Sequence, residues 1–327
     1  MSRVMIALAL LTAALFTASL LVGPADLAPG DSLAALWQGG DGPVAMVMRQ
    51  IRLPRALLAL MIGASLGLAG AAMQGYLRNP LAEPGLIGVS GSAALGAVLA
   101  IHTGAAAMWS LGLPLAALGG ALVGVALVMG LAGPRGGSLT LILAGIAISA
   151  LAGALTSLVL NLSPNPFAAN EIVFWMMGSL ADRSMTHVWL AAPLMVIGWG
   201  LIGTLGRGLD ALTLGEDAAG AMGISLPRMR LVLVLGTACV VGASTAVAGA
   251  IGFVGLVVPH ILRPFVGARP SRLLWASALG GAVMLLIADI AVRIILPTQD
   301  LKLGVLTALV GAPVFLHLIY KTRKDGI

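Results

Sequence analysis

Charge is what this sequence has least of. Only 9% of its 327 residues are Asp, Glu, Lys or Arg, against about a quarter in a soluble domain. A chain so poor in charge cannot cover a water-facing surface, so its outer surface must meet lipid. Its single cysteine, Cys239, lies in an apolar run, which excludes a disulfide framework or a CxxC metal site. The dipeptide Gly-Lys never occurs, so the chain holds no G-x-x-x-x-G-K-[ST] loop for ATP. His102, His187, His260 and His317 include no i, i+4 pair, which removes H-E-x-x-H zinc chemistry. Neither a metal nor a cofactor is expected. The basic residues stand in ones and twos between apolar runs, so the pI of 10.4 does not signal nucleic-acid binding.

What the chain does have is apolar residues (59%) and 44 glycines. Small residues let membrane helices approach closely. A crossing needs roughly 20 apolar residues, and candidate spans read at 4–22, 56–76, 86–101, 112–132, 139–160, 187–205, 230–250, 252–267, 273–296 and 303–320. Arg3 at one end and Lys321, Arg323 and Lys324 at the other should both stay in the cytoplasm. Equal sidedness requires an even number, hence ten spans. The cytoplasmic loops and tails, Arg135 among them, then hold twelve of the 18 Lys and Arg residues. The expected fold is an all-α polytopic membrane protein, one transmembrane domain over 1–327. Its outer loops fall at 23–55 and 161–186, and its main inner segment at 207–229.

A weak internal repeat appears at an offset of 179. "GASLGLAGA" at 63–71 matches "GASTAVAGA" at 242–250, Pro80 matches Pro259, and Gly88 matches Gly267. If it reflects duplication, the two copies run oppositely across the membrane, as in transporters with inverted repeats.

Two stretches carry function. "TLGEDAAGAMGISLPRMR" at 213–230 looks like a soluble helix in an oily chain. Glu216 and Asp217 suit a first helical turn, Gly223 suits the position after its end, and Pro227 prevents continuation. Leu214, Ala218, Ala221 and Met222 can share one face, suited to a partner's groove; an ordinary connector between spans 6 and 7 is the plainer reading. The second stretch is "RQIRLPR" at 49–55. Its arginines lie outside, against the positive-inside rule. Arg52 and Arg55 can project together, and Asp289 can tether Arg293 at i, i+4. They form a basic pad for an acidic partner, or they snorkel to lipid headgroups; Arg49 and Arg183 are assigned to the headgroups. "GASLG" at 63–67 fits G-x-S-x-G, which keeps an intramembrane hydrolase at Ser65 as a rival reading beside an ion-coupled secondary transporter.

The stretch "RLPRALLALMIGASLGLAGAAMQGYLRNPLAEPGLIGVSG" at 52–91 resembles the signature of FecCD-type permeases, the membrane subunits of binding-protein-dependent ABC importers. "GFVGLVVPHILR" at 252–263 and "LGVLTALVGAPVF" at 303–315 resemble it too, with Asn79, Pro80, Pro84, Gly85, Pro259 and Asp289 as motif positions. The resemblance implies a type II ABC importer permease fold of ten helices in a bacterial inner membrane, working as a homodimer and not itself an enzyme. It implies two cytoplasmic ATPase subunits, met through Leu214, Gly215, Glu216, Asp217, Ala218, Ala221, Met222 and Gly223. It implies a periplasmic binding protein, docked on Arg52, Arg55 and Arg293. The cargo expected is a metal chelate, iron-siderophore or haem, with cobalamin as the alternative. The segment 165–189 is then a gate region.

Overall fold

A computed structural model describes residues 3–25, 27–38, 42–109, 111–133, 136–163, 165–295 and 301–324. Arg135 lies outside them, as do the end of the ninth predicted span at 296, parts of both predicted outer loops, and the side chains of Lys321, Arg323 and Lys324. Every described regular element is helical.

In chain order the first half holds α1 (Arg3–Leu21), α2 (Pro29–Gln38), α3 (Pro43–Met46), a π turn (Val47–Arg52) and α4 (Leu53–Leu77). A 3-10 turn (Pro84–Ile87) then leads into α5 (Val89–His102), α6 (Ala105–Met108), α7 (Gly112–Ala132), α8 (Ser138–Leu162) and α9 (Pro166–Met176). The second half holds α10 (Met185–Gly203), α11 (Gly206–Leu212), α12 (Glu216–Ala221), α13 (Leu226–Ala248) and α14 (Val254–Leu262). A second 3-10 turn (Arg263–Val266) precedes α15 (Pro270–Ile295) and α16 (Leu303–Lys324).

Among the described residues, seven helices are long and apolar enough to cross a membrane, with three shorter apolar ones at Val89–His102, Val254–Val266 and Leu303–His317. Length and composition thus support seven crossings outright, and a count of ten needs all three short helices. The predicted spans 86–101 and 252–267 are not continuous α-helices. Each contains or adjoins a 3-10 turn with proline in its first turn, closed by a glycine of positive φ, Gly88 or Gly267. Both turns lie at the 179-residue offset of the sequence repeat. Broken backbone at membrane depth survives only where protein or water covers it. Here the first break is covered by the start of α14: Glu83 Oε1 accepts the Phe253 N–H at 3.0 Å. Phe253 (φ 68) opens α14 in the left-handed region, which a bulky residue rarely adopts.

The helices sort by depth. Within its apolar window α4 is 83% buried, whereas α1 is 17% buried. Helices α7, α8 and α10 expose large apolar side chains such as Leu122, Leu139 and Trp189, the surface a bilayer would solvate. The core is the antiparallel pair α4 and α15. A Cβ on Gly63 would collide with the Gly281 backbone, and one on Gly67 with the Ser277 carbonyl. Farther along, Arg55 meets Asp289. Eight residues along α4 match eight back along α15, then four match four, so one register runs through the contact. At about 1.5 Å per residue, α15, with its 26 residues, extends about 39 Å and links the two ends of the molecule.

Candidate functional site

At one end, the three arginines that the sequence singles out lie near one another, and two of them share one carboxylate. Asp289 is fully buried, and its oxygens meet Arg55 Nε and Arg293 Nη2, each at 2.8 Å. Arg52 is almost fully buried. It donates to the carbonyls of Leu20 (3.1 Å), Leu21 (2.9 Å) and Ala25 (2.6 Å). Arg293 donates to the Ser19 and Val22 carbonyls at 2.8 and 2.7 Å and to the Ser19 hydroxyl at 2.6 Å. The carbonyls of Ser19, Leu20 and Leu21 belong to the end of α1, where a helix leaves its last acceptors unmet and its dipole is negative, and those of Val22 and Ala25 follow it. Arg49 does the same for α2, donating to the Leu36 carbonyl at 3.0 Å. Arginines that look misplaced by topology therefore satisfy carbonyls at the ends of α1 and α2. Arg55 is the most exposed of the three, with 18% of its side chain accessible.

At the other end stands α12. Glu216 and Asp217 occupy its first turn. Its exit is a double hydrogen-bonded stop: Ile224 N–H reaches the Ala219 carbonyl and Gly223 N–H the Gly220 carbonyl, with Gly223 at φ 81. That pair of bonds is the left-handed glycine cap read from the sequence. Gly215 (φ 104) turns the chain into the helix. Ala219 is fully buried and seats the helix, while Leu214 is 70% and Met222 53% exposed. Ala221 is exposed beside them and Ala218 is half-buried. The result is an apolar knob rimmed by two carboxylates. Arg78, itself left-handed at the end of α4, reaches Glu216 at 3.4 Å with both side chains about half exposed.

Between the ends lie the motif residues. Asn79 Oδ1 accepts the Leu81 N–H at 2.9 Å, which folds the chain through Pro80. Pro84 starts the first 3-10 turn and Gly85 follows it; the ring of Pro84 lies against Gly255. Pro259 is buried inside α14. Ser65 is fully buried, and its hydroxyl accepts the Trp199 indole N–H at 2.9 Å. A serine held in that way is a packing group, which removes the basis for a hydrolase. Met176 and Met177 line an open apolar cavity of about 550 Å³ with Ala250, Ala308, Ala312 and Pro313.

The sequence reading missed three polar residues. Gln74, buried in α4, donates to the Leu256 carbonyl (3.2 Å) and accepts from Arg263 Nη2 (2.9 Å). Glu83 accepts the Phe253 N–H and so caps the start of α14. Asp210 in α11 accepts from the Ser271 N–H (2.8 Å), the Ser271 hydroxyl (2.7 Å) and Arg269 Nε (2.8 Å). Burial alone would raise its pKa, but the Ser271 N–H, the Arg269 guanidinium and the Ser271 hydroxyl outweigh burial and lower it. Because its folded pKa is depressed, the contact persists at neutral pH and is lost only as pH falls through that lowered value.

Comparison with known proteins matches this arrangement to one family. The FecCD transport family matches residues 10–321. The vitamin B12 import system permease protein BtuC of Salmonella typhi is 39% identical over 326 residues, covering 98% of this chain and 96% of that protein. BtuC of Salmonella newport matches to the same extent. Among solved structures, a transporter described as of the metal-chelate ABC type, in an inward-facing conformation, superposes with a TM-score of 0.86 at 34% identity. It covers 98% of this chain and 99% of that one. PsaBC from Streptococcus pneumoniae shares the fold at 16% identity and a TM-score of 0.55, over 88% of this chain and 94% of that one. A lipid-facing helical bundle with no nucleotide loop, an exposed knob at one end and paired arginines at the other thus belongs to the FecCD transport family, as the permease component of an ABC importer.

Proposed function

We propose that this chain is the permease of a vitamin B12 importer in a bacterial inner membrane. The observation that carries this reading is the 39% identity over 98% of the chain to vitamin B12 permeases. That reverses the order reached from sequence, where an iron chelate came first. In this reading two copies form the pathway, both termini are cytoplasmic, and 1–327 is one domain. Residues 214–223 seat in a groove of a separate ATPase subunit, since the chain has no P-loop. The binding protein docks at the opposite end, with a carboxylate reaching Arg55 first and Arg52 and Arg293 fixing its surroundings. The apolar, uncharged lining beside Met176 and Met177 suits a bulky organic-faced cargo better than a bare cation. A second reading, another metal chelate, is favoured by the likeness to the metal-chelate type transporter.

The test is uptake of radiolabelled cyanocobalamin by cells that lack their own vitamin B12 permease and express this chain with its ATPase and binding protein. ATP-dependent accumulation of cyanocobalamin is the expected result. Accumulation of ferric siderophores or haem instead would move the cargo to the second reading. No ATP-dependent uptake of any chelate would overturn the importer assignment for this chain.

A further inference from the structure

Helix α15 has a carboxylate engaged at each end. Near its last turn Asp289 binds Arg55 and Arg293. At its first turn the carboxylate is not its own: Asp210 reaches over from α11. Asp210 also holds the chain toward α12, because its carbonyl accepts from the Thr213 hydroxyl at 2.7 Å and the Thr213 N–H at 3.3 Å. Only Leu214 and Gly215 separate Thr213 from α12. Leu209 and Leu212 are buried, and Gly206 lets α11 approach Ser271 closely, so α11 is seated firmly.

One other polar route out of α12 is weaker. The Arg78–Glu216 pair is long and half exposed, a class worth little in water. Apolar contacts resist separation but allow sliding. Three bonds to one carboxylate, two of them from the start of a helix whose dipole favours negative charge, fix both distance and orientation. From that point α15 keeps one register along α4 to the arginine cluster.

We propose that Asp210 is a positioning residue for transport, the joint through which a movement of α12 is passed into α15 and along it to the Arg55–Asp289–Arg293 cluster. The inference rests on α12 being the contact with the ATPase. It predicts that cutting the joint separates hydrolysis from import, rather than lowering both.

The measurement is cyanocobalamin imported per ATP hydrolysed, by the full complex with ATPase and binding protein in proteoliposomes. Asp210→Ala should lower that ratio about fivefold or more, the range of a lost coupling between sites. Asp210→Asn, which still offers an oxygen to the Ser271 N–H, should fall between. The double variant Arg269→Gln/Ser271→Ala removes bonds from the other side with Asp210 intact, and should also lower the ratio; it serves if Asp210→Ala does not assemble. Both variants at the wild-type ratio, or import and hydrolysis falling together, would overturn the proposal. A wild-type complex that imports nothing on ATP would instead count against the importer reading, a separate outcome.

Discussion

Asp289→Ala is expected to be among the most destabilising single changes in this chain, by about 3–5 kcal/mol. The carboxylate is fully buried between two guanidiniums, one of which, on Arg293, is only 6% exposed. Removing it leaves two cations close together without a counter-charge, and desolvated charge that has lost its partner is what makes broken buried pairs costly. The damage should spread to α1, since Arg293 also caps that helix through the Ser19 and Val22 carbonyls. Thermal unfolding of the detergent-solubilised chain measures this. Pairing Asp289→Leu with Arg293→Met should recover part of the loss, because an apolar pair carries no desolvation penalty. A single Asp289→Ala variant that melts with the wild type would mean that the cluster contributes nothing to stability.

Gly67→Val should be nearly as severe for a steric reason. A side chain there enters the Ser277 carbonyl, which is backbone and cannot swing aside. Forced separation of packed helices costs about 1–3 kcal/mol or more. Because one register runs along α4 and α15, it should also pull Arg55 from Asp289. The contrast is Gly119→Ala in α7, where a Cβ meets nothing within 4 Å. That change should be neutral or stabilise by up to about 1 kcal/mol through helix propensity. Folded yield and melting temperature of both variants check the pair; equal behaviour would deny that the α4–α15 approach requires glycine.

Much of this was legible in local chemistry. Residues 112–132 form α7 as composition and length dictate, and the ends of α12 follow from Glu216, Asp217 and Gly223. The Asp289–Arg293 pair is a within-helix spacing, so it too can be read from sequence. Long-range partners cannot. Asp210 lies 61 residues from Ser271 and Gln74 182 from Leu256, and no periodicity connects them. The predicted outer loop 161–186 hid α9, because its Asn165-Pro166 start reads as a turn; in the structure Asn165 caps that helix by accepting the Phe167 N–H. Arg52, Arg55 and Arg293 do lie near one another, but hydropathy could not foretell that Arg52 and Arg293 would turn inward to α1.

In the proposed importer, a conduit without its own motor is worked through the exposed knob at 214–222. The direct measurement is ATP-driven cyanocobalamin import in proteoliposomes by a Leu214→Asp/Met222→Asp variant. Both side chains are more than half exposed, so the variant should fold and melt as the wild type does. Import should fall at least about tenfold, as when central contacts of an interface are removed. Import at the wild-type rate by this folded variant would contradict the account.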